Sequence, residues 1–276
     1  MLTDYHLHLR PDDPGTAVEE YFTAANVERY RAVADERGIG ELGCAEHIYR
    51  FIQALEVWRH PLWRESATDD LDAYVGFVRE QTDLKLGIEA DFVEGRADRM
   101  ATLLDAYDWD YVVGSVHFVG EHAVDHDGYE IWDHRSAPPD ELWQRYFQTL
   151  GEAARTGLFD ILAHPDLVKM WGARRPVPEG DLRRFYELAM AGISESGIAV
   201  EVSTAGLRKP VGELYPAPAF LQMCVEAGCP VALSSDAHVP GDVGRDYESA
   251  LELLKSVGVT ELAVFERRER RMEAIG

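Results

Sequence analysis

Short apolar runs alternate with amphipathic stretches along almost the whole chain, and that rhythm constrains the fold more than any other feature. A strand, a helix crossing back over it and a neighbouring strand form the repeat of a parallel sheet wrapped by helices. The apolar runs predict strands near residues 2–6, 40–46, 84–89, 111–116, 159–163, 198–203 and 230–235, and a last short one near 261–265. Helical periodicity predicts helices near 17–37, 69–82, 96–106, 140–156, 181–196, 216–227 and 246–257. At 181–196 the ends are marked as well. Asp181 offers an N-cap, Leu182, Phe185, Leu188, Ala189 and Ile193 share a face, and Gly197 supplies the stop. Gly38 and Gly228 play the same terminating part. The irregular stretches 47–67, 117–139 and 204–216 each follow a strand, which is where an α/β barrel builds its pocket walls. No linker or composition shift divides residues 1–276, and α/β barrels reach this length as one domain.

Composition narrows the function. Hydrophobic residues make up 46%, enough for a real core. No run of about 18 apolar residues predicts a membrane span, and MLTDYHLHLR does not open like a secretory leader. A cytoplasmic protein is expected. Cys44, Cys224 and Cys229 cannot form an even disulfide framework or complete a structural zinc site, and read as buried thiols in a reducing compartment. Fifty acids against 27 bases give a net charge of −23, which argues against nucleic acid as a partner. The basic run Arg267–Arg271, interrupted by Glu269, reads as a solvated terminal helix or tail.

The chemistry lies in where the histidines fall. His6, His8, His47, His117, His164 and His238 all sit within a few residues of a predicted strand's C-terminal end. All strand ends in a parallel barrel point the same way, so residues from position 6 to 238 converge at one rim. Glu89 and Asp236 share that address. Both His6-Leu-His8 and Asp236-Ala-His238 have the i, i+2 spacing that points alternate strand residues to one face. Neutral imidazole and carboxylate are ligands for zinc, iron and manganese alike, and eight of them exceed what one ion takes. The count predicts two or three ions. His60, His122 and His126 read as loop residues, and His134 is within reach of the pocket from its loop.

These motifs resemble the PHP (polymerase and histidinol phosphatase) metal-dependent phosphoesterases, from DYHLH at 4–8 to SSDAH at 234–238. GIEADF (87–92), DYVVGSVHF (110–118) and STAGLRKPVGELYPAP (203–218) resemble most the histidinol-phosphate phosphatases of that family. The resemblance implies a distorted, TIM-like (βα)7 barrel with its metal site at the C-terminal strand ends. It assigns His6, His8, Glu89 and Asp236 to one ion, and His47 and His238 to a second. His117, His164 and a bridging Glu89 fall to a third. Many relatives carry a His or Asp six residues after the second histidine. Here that position is Pro14, so Asp13 or Asp12 is left to fill the role. Glu89, Asp236 and His238 are the expected catalytic groups.

A phosphate monoester repels a nucleophile with its own charge. Paired ions about 3.5–4 Å apart bind the phosphoryl oxygens and acidify a shared water. Phosphate also invites guanidinium or ammonium contacts. Arg208, in the STAGLR context, and Lys169 are the candidates, with Lys209 beside them. The implied activity is hydrolysis of L-histidinol phosphate in histidine biosynthesis. Three readings compete: a PHP-type phosphoesterase acting on nucleotides or oligonucleotide ends, an amidohydrolase-like hydrolase and a non-enzymatic metal-binding module.

Overall fold

A computed structural model describes residues 1–13, 15–126, 128–129 and 138–276, so Pro14 and His134 lie outside the described residues. Seven strands lie side by side in chain order: β1 (Leu2–Leu7), β2 (Ile39–His47), β3 (Lys85–Asp91), β4 (Tyr111–Ser115), β5 (Ile161–Leu162), β6 (Ala199–Ser203) and β7 (Val231–Ser234). Each is parallel to its neighbours. A bridge between Leu7 and Ala237, with the His8 N–H on the Ala237 carbonyl at 2.8 Å, brings the first and last strands together. The result is a near-closed α/β barrel.

The helices are α1 (Ala24–Glu36), α2 (Leu71–Gln81), α3 (Ala97–Leu104), α4 (Pro139–Arg155), α5 (Arg183–Ser196), α6 (Pro218–Glu226) and α7 (Tyr247–Ser256). Two of them depart from the sequence reading. The helix expected over 17–37 breaks into Val18–Tyr21 and α1, because Thr23 is extended and its hydroxyl accepts the Asn26 N–H at 3.2 Å. Threonine is a better cap than helix interior. At α5 the cap position falls on Leu182 rather than on Asp181, whose carboxylate accepts the Arg183 N–H at 3.0 Å from one residue further out. Gly197 ends α5 at φ 68°.

The Arg267–Arg271 run is neither helix nor loose tail. β8 (Glu261–Glu266) and β9 (Glu269–Ala274) form an antiparallel hairpin across the N-terminal end of the barrel. Arg267 and Arg268 make its turn at φ 50° and 64°, and the Arg268 guanidinium pairs with Asp160 at 2.9 Å. That anchor and the packing of Phe265 on Tyr5 explain why the segment folds back. Beneath it Tyr5 stacks on Tyr111 at 5.0 Å. The Tyr111 ring occupies space that only glycine leaves open, since a Cβ at Gly87 would approach it to 2.3 Å.

The three cysteines are free thiols. Cys44 and Cys224 are buried, Cys229 only partly. No helix among the described residues is long and apolar enough to cross a membrane.

Candidate metal centre

The six sequence-predicted histidine ligands arrive at the C-terminal rim from five strands or the turns after them. His6 lies on β1 with His8 just beyond, His47 ends β2, and Glu89 sits in β3. His117, His164, Asp236 and His238 follow β4, β5 and β7 by two to four residues. All are buried except Asp236 and His238, whose side chains are 13% and 19% exposed.

Glu89 is the hub. Its Oε2 lies 3.4 Å from His6 Nε2 and 3.7 Å from His8 Nε2, and touches His47 Nδ1. Its Oε1 lies 3.3 Å from His117 Nε2 and 3.1 Å from His164 Nε2. The two oxygens thus face different sets of rings. Asp236 Oδ1 stands 3.4 Å from His8 Nε2 and 3.9 Å from His6 Nε2. His47 Nε2 and His238 Nε2 are 3.3 Å apart.

These atoms suit cations better than one another. His6 Nε2, His8 Nε2, His47 Nδ1, Glu89 Oε2 and Asp236 Oδ1 are buried without a hydrogen-bond partner among the described residues. Leaving that many inward-facing polar atoms unpaired is costly. Ligand atoms around a tetrahedral zinc, each at about 2.0–2.1 Å, stand roughly 3.3 Å apart, close to the spacings seen here. Four triads bring their ligand atoms within 4.8 Å of one another: His6–His8–Asp236, His8–His47–His238, His47–Glu89–His117 and His6–Glu89–His164. The residues fit a polynuclear centre in which Glu89 is shared.

Electrostatics agree. Burial opposes charge on Glu89, yet His47, His6 and His117 hold its carboxyl well below the usual range. Asp236 is also held well below its usual value: burial opposes this, but His6, His8 and His238 outweigh it. Burial drives His47 well down, and His238 to about 4, which leaves both rings neutral donors. Burial also opposes charge on His117, but Glu89, Asp125 and Asp91 raise it to about 10. A site that holds a proton so firmly has surplus negative charge where a cation belongs.

Backbone strain collects at the same rim. His164 at φ 24° and Asp236 at φ 51° are non-glycine residues in the left-handed region.

Sequence reasoning missed the carboxylates behind the rings. Asp91 accepts from His117 Nδ1 at 2.8 Å and Glu201 from His6 Nδ1 at 2.8 Å. Glu46 is buried beside Arg50, 3.2 Å away, and accepts the backbone N–H of Leu9 at 2.6 Å. The available signal was an acid inside an apolar strand, as Glu201 stands in IAVEVS.

The remaining candidates divide. Asp12 reaches the cluster, with Oδ1 3.3 Å from His238 Nε2 and 2.8 Å from Arg50. Asp13, the expected ligand, instead turns its exposed carboxylate onto the Gly15 N–H at 2.9 Å. Of the two carboxylates, that of Asp12 lies nearer the cluster. Lys169 does not face the cleft. Its buried ammonium is spent on Asp166 at 3.0 Å, Glu213 at 3.2 Å and the Leu214 carbonyl at 2.8 Å. Arg208 donates Nη2 to the carbonyls of Ser235 (2.6 Å) and Asp236 (3.2 Å), and its Nε lies 3.4 Å from Asp242. Its Nη1 is buried with no hydrogen-bond partner among the described residues. Lys209 is exposed, lines the cleft and makes no ion pair among the described residues.

His60, read as a loop residue, caps the short helix Pro61–Ser66, its Nδ1 accepting the Leu62 N–H at 3.2 Å. His126 lines the cleft rim, a position that the loop reading did not anticipate. The cleft above the cluster measures about 900 Å³. Its walls come from the three long post-strand stretches and from the segments after β1 and β5, with Arg10, Arg50 and Lys209 as cations and Glu65, Asp69 and Asp125 as acids.

A near-closed parallel barrel with histidines and carboxylates gathered at its C-terminal rim defines a class of barrel metalloproteins. Within that class the chain belongs to the PHP domain family, whose model matches residues 20–205. His6, His8, Asp236 and His238 lie outside that stretch, and the fold brings them onto the ligands inside it. The chain is similar to a probable histidinol-phosphatase of Deinococcus radiodurans, 32% identical over 93% of this chain and 94% of that protein. A histidinol-phosphatase of Bacillus subtilis is 27% identical over 63% of this chain and 70% of that one. Among solved structures, a histidinol phosphate phosphatase of Lactococcus lactis, complexed with zinc, L-histidinol and phosphate, shares the fold. Its TM-score is 0.68 at 20% identity, with 98% of each chain covered.

Proposed function

We propose that residues 1–276 act as one metal-dependent phosphomonoesterase that hydrolyses L-histidinol phosphate to L-histidinol and phosphate, a step of histidine biosynthesis in the cytoplasm. The observation that carries this reading is the convergence of six histidines, Glu89 and Asp236 beneath a cleft. The Deinococcus relative's name and the ligands of the Lactococcus structure supply the substrate.

In this reading His6, His8 and Asp236 hold one ion, His47, His238 and Asp12 a second, and His117 and His164 a third, with Glu89 shared. Zinc suits the donors and is the metal in the Lactococcus structure; iron and manganese accept the same donor types. When bound, such ions polarise phosphoryl oxygens and acidify the attacking water. The chain's own part is to fix where these atoms sit. Glu89, buried at the hub, sets the spacing between positions. Asp236 and His238, the partly exposed members, meet the substrate. Lys209 and the unspent Nη1 of Arg208 are the cations left for phosphate, while Glu65 and Asp125 suit the ammonium and imidazole of histidinol. A small substrate also accords with a chain of net charge −23.

The test is phosphate release from L-histidinol phosphate beside nucleoside monophosphates and an aryl phosphate. The reading expects kcat/KM for histidinol phosphate to lead by about tenfold or more. Preference for nucleotides would establish the PHP-type nucleotide phosphoesterase instead.

A further inference from the structure

Glu201 lies in the middle of β6, 1% exposed, in a strand whose other residues are apolar or small. Its carboxylate contacts three other parts of the rim. Oε1 accepts from His6 Nδ1 at 2.8 Å and from the Ser234 hydroxyl at 2.5 Å. Oε2 accepts the backbone N–H of His164 at 2.6 Å. A carboxylate at that distance fixes the proton on His6 Nδ1 and leaves the Nε2 lone pair turned toward Glu89 and Asp236. At His164 it holds the residue that stands at φ 24°, so the ring's Nε2 meets Glu89 Oε1 at 3.1 Å.

We infer that Glu201 is the positioning residue that couples two of the metal positions, setting the tautomer of His6 and the strained turn of His164 with one carboxylate. It touches neither substrate nor ion; it acts through the two histidines. The inference rests on the metal reading of the site.

Glutamine at 201 separates this role from simple packing. An amide has one acceptor end and one donor end. If the NH2 faces His6 and Ser234, the imidazole must shift its proton to Nε2 and lose its ligand atom. If the NH2 faces His164, the strained turn loses its acceptor. Either way one position loses a ligand. Asp110 is the control, a buried carboxylate at the opposite end of the barrel that accepts the Leu86 N–H at 2.8 Å and pairs with Arg79 at 2.7 Å.

The experiment loads wild type, Glu201→Gln and Asp110→Asn with zinc, dialyses each against graded chelator and counts zinc per chain alongside the melting temperature. The chelator concentration that strips half the zinc should fall by about 10- to 100-fold in Glu201→Gln. It should stay at the wild-type value in Asp110→Asn, whatever melting temperature that variant loses. An unchanged midpoint in Glu201→Gln, or an equal fall in both variants at matched loss of melting temperature, overturns the inference. Wild type that retains no zinc overturns the metal reading itself. Should Glu201→Gln not fold, a long-range 1H–15N spectrum of zinc-loaded wild type decides. His6 should be the Nδ1–H tautomer, and an Nε2–H signal overturns the inference.

Discussion

The two ends of this barrel treat buried charge in opposite ways. At the N-terminal end, Asp110 and Asp160 stand just before their strands, and each is occupied. Asp110 accepts the Leu86 N–H and pairs with Arg79, while Asp160 accepts the Val112 N–H at 2.8 Å and pairs with Arg268. At the C-terminal end, Glu89 receives no backbone N–H from the described residues; five imidazoles converge on it, and several of the inward-facing atoms have no hydrogen-bond partner among those residues. One end uses carboxylates to join strands and hairpin. The other leaves them unneutralised until something positive arrives. Stability and function are thus built from the same residue types, and the difference lies in whether their partners belong to the protein.

The sharpest way to break that contrast is to neutralise the hub. Glu89→Gln should abolish phosphatase turnover by orders of magnitude while the far-ultraviolet spectrum stays native, because a shared carboxylate sets both the metal spacing and the acidity of the water. Wild-type turnover and metal content in this variant would reduce Glu89 to an ordinary strand-end acid.

A smaller loss is expected one layer out. Arg208 was predicted from its STAGLR context to clasp phosphate, and the structure shows two of its nitrogens already engaged with Ser235, Asp236 and Asp242. It stabilises the left-handed Asp236 turn and keeps Nη1 free. Removal of a charge-assisted contact worth roughly 1.5–3 kcal/mol predicts that Arg208→Ala lowers kcat/KM by about 10- to 150-fold. Arg208→Lys should recover only part, since ammonium lacks the planar fork. Wild-type kcat/KM in Arg208→Ala would remove it from the site.

At the other end the effect should be on stability alone. Asp110→Asn turns one acceptor into a donor against Arg79, costing about 1–3 kcal/mol and lowering the melting temperature. The folded fraction should keep its kcat/KM. A fall in kcat/KM of the folded enzyme would show that the two ends are coupled.

The same contrast explains what was legible in the sequence. Strands, helices and the histidine rim follow from periodicity and from the rule that parallel strand ends share a face. That rule needs no pairing partner to be known. Glu201 and Asp91 were missed because their roles depend on residues far along the chain, His6 in the first case and His117 in the second. The hairpin at 261–274 was half seen for the same reason. Its first strand is apolar, but its second, ERRMEA, is polar and is held by its partner strand, with the turn before it pinned through Arg268 to Asp110 and Asp160. Lys169 shows the reverse error. Its position after His164 suggested substrate, whereas Asp166, three residues before it, and Glu213, from the loop after β6, claim its charge.

The unpaired atoms at the C-terminal rim are, in this reading, the seats of the metal on which hydrolysis depends. The most direct measurement is metal equivalents per chain, by elemental analysis, followed through chelation and re-addition against phosphate release from L-histidinol phosphate. The account predicts two to three equivalents of divalent transition metal, loss of activity in step with their removal, and recovery on returning zinc, iron or manganese. Full activity in a chain stripped of metal would contradict it.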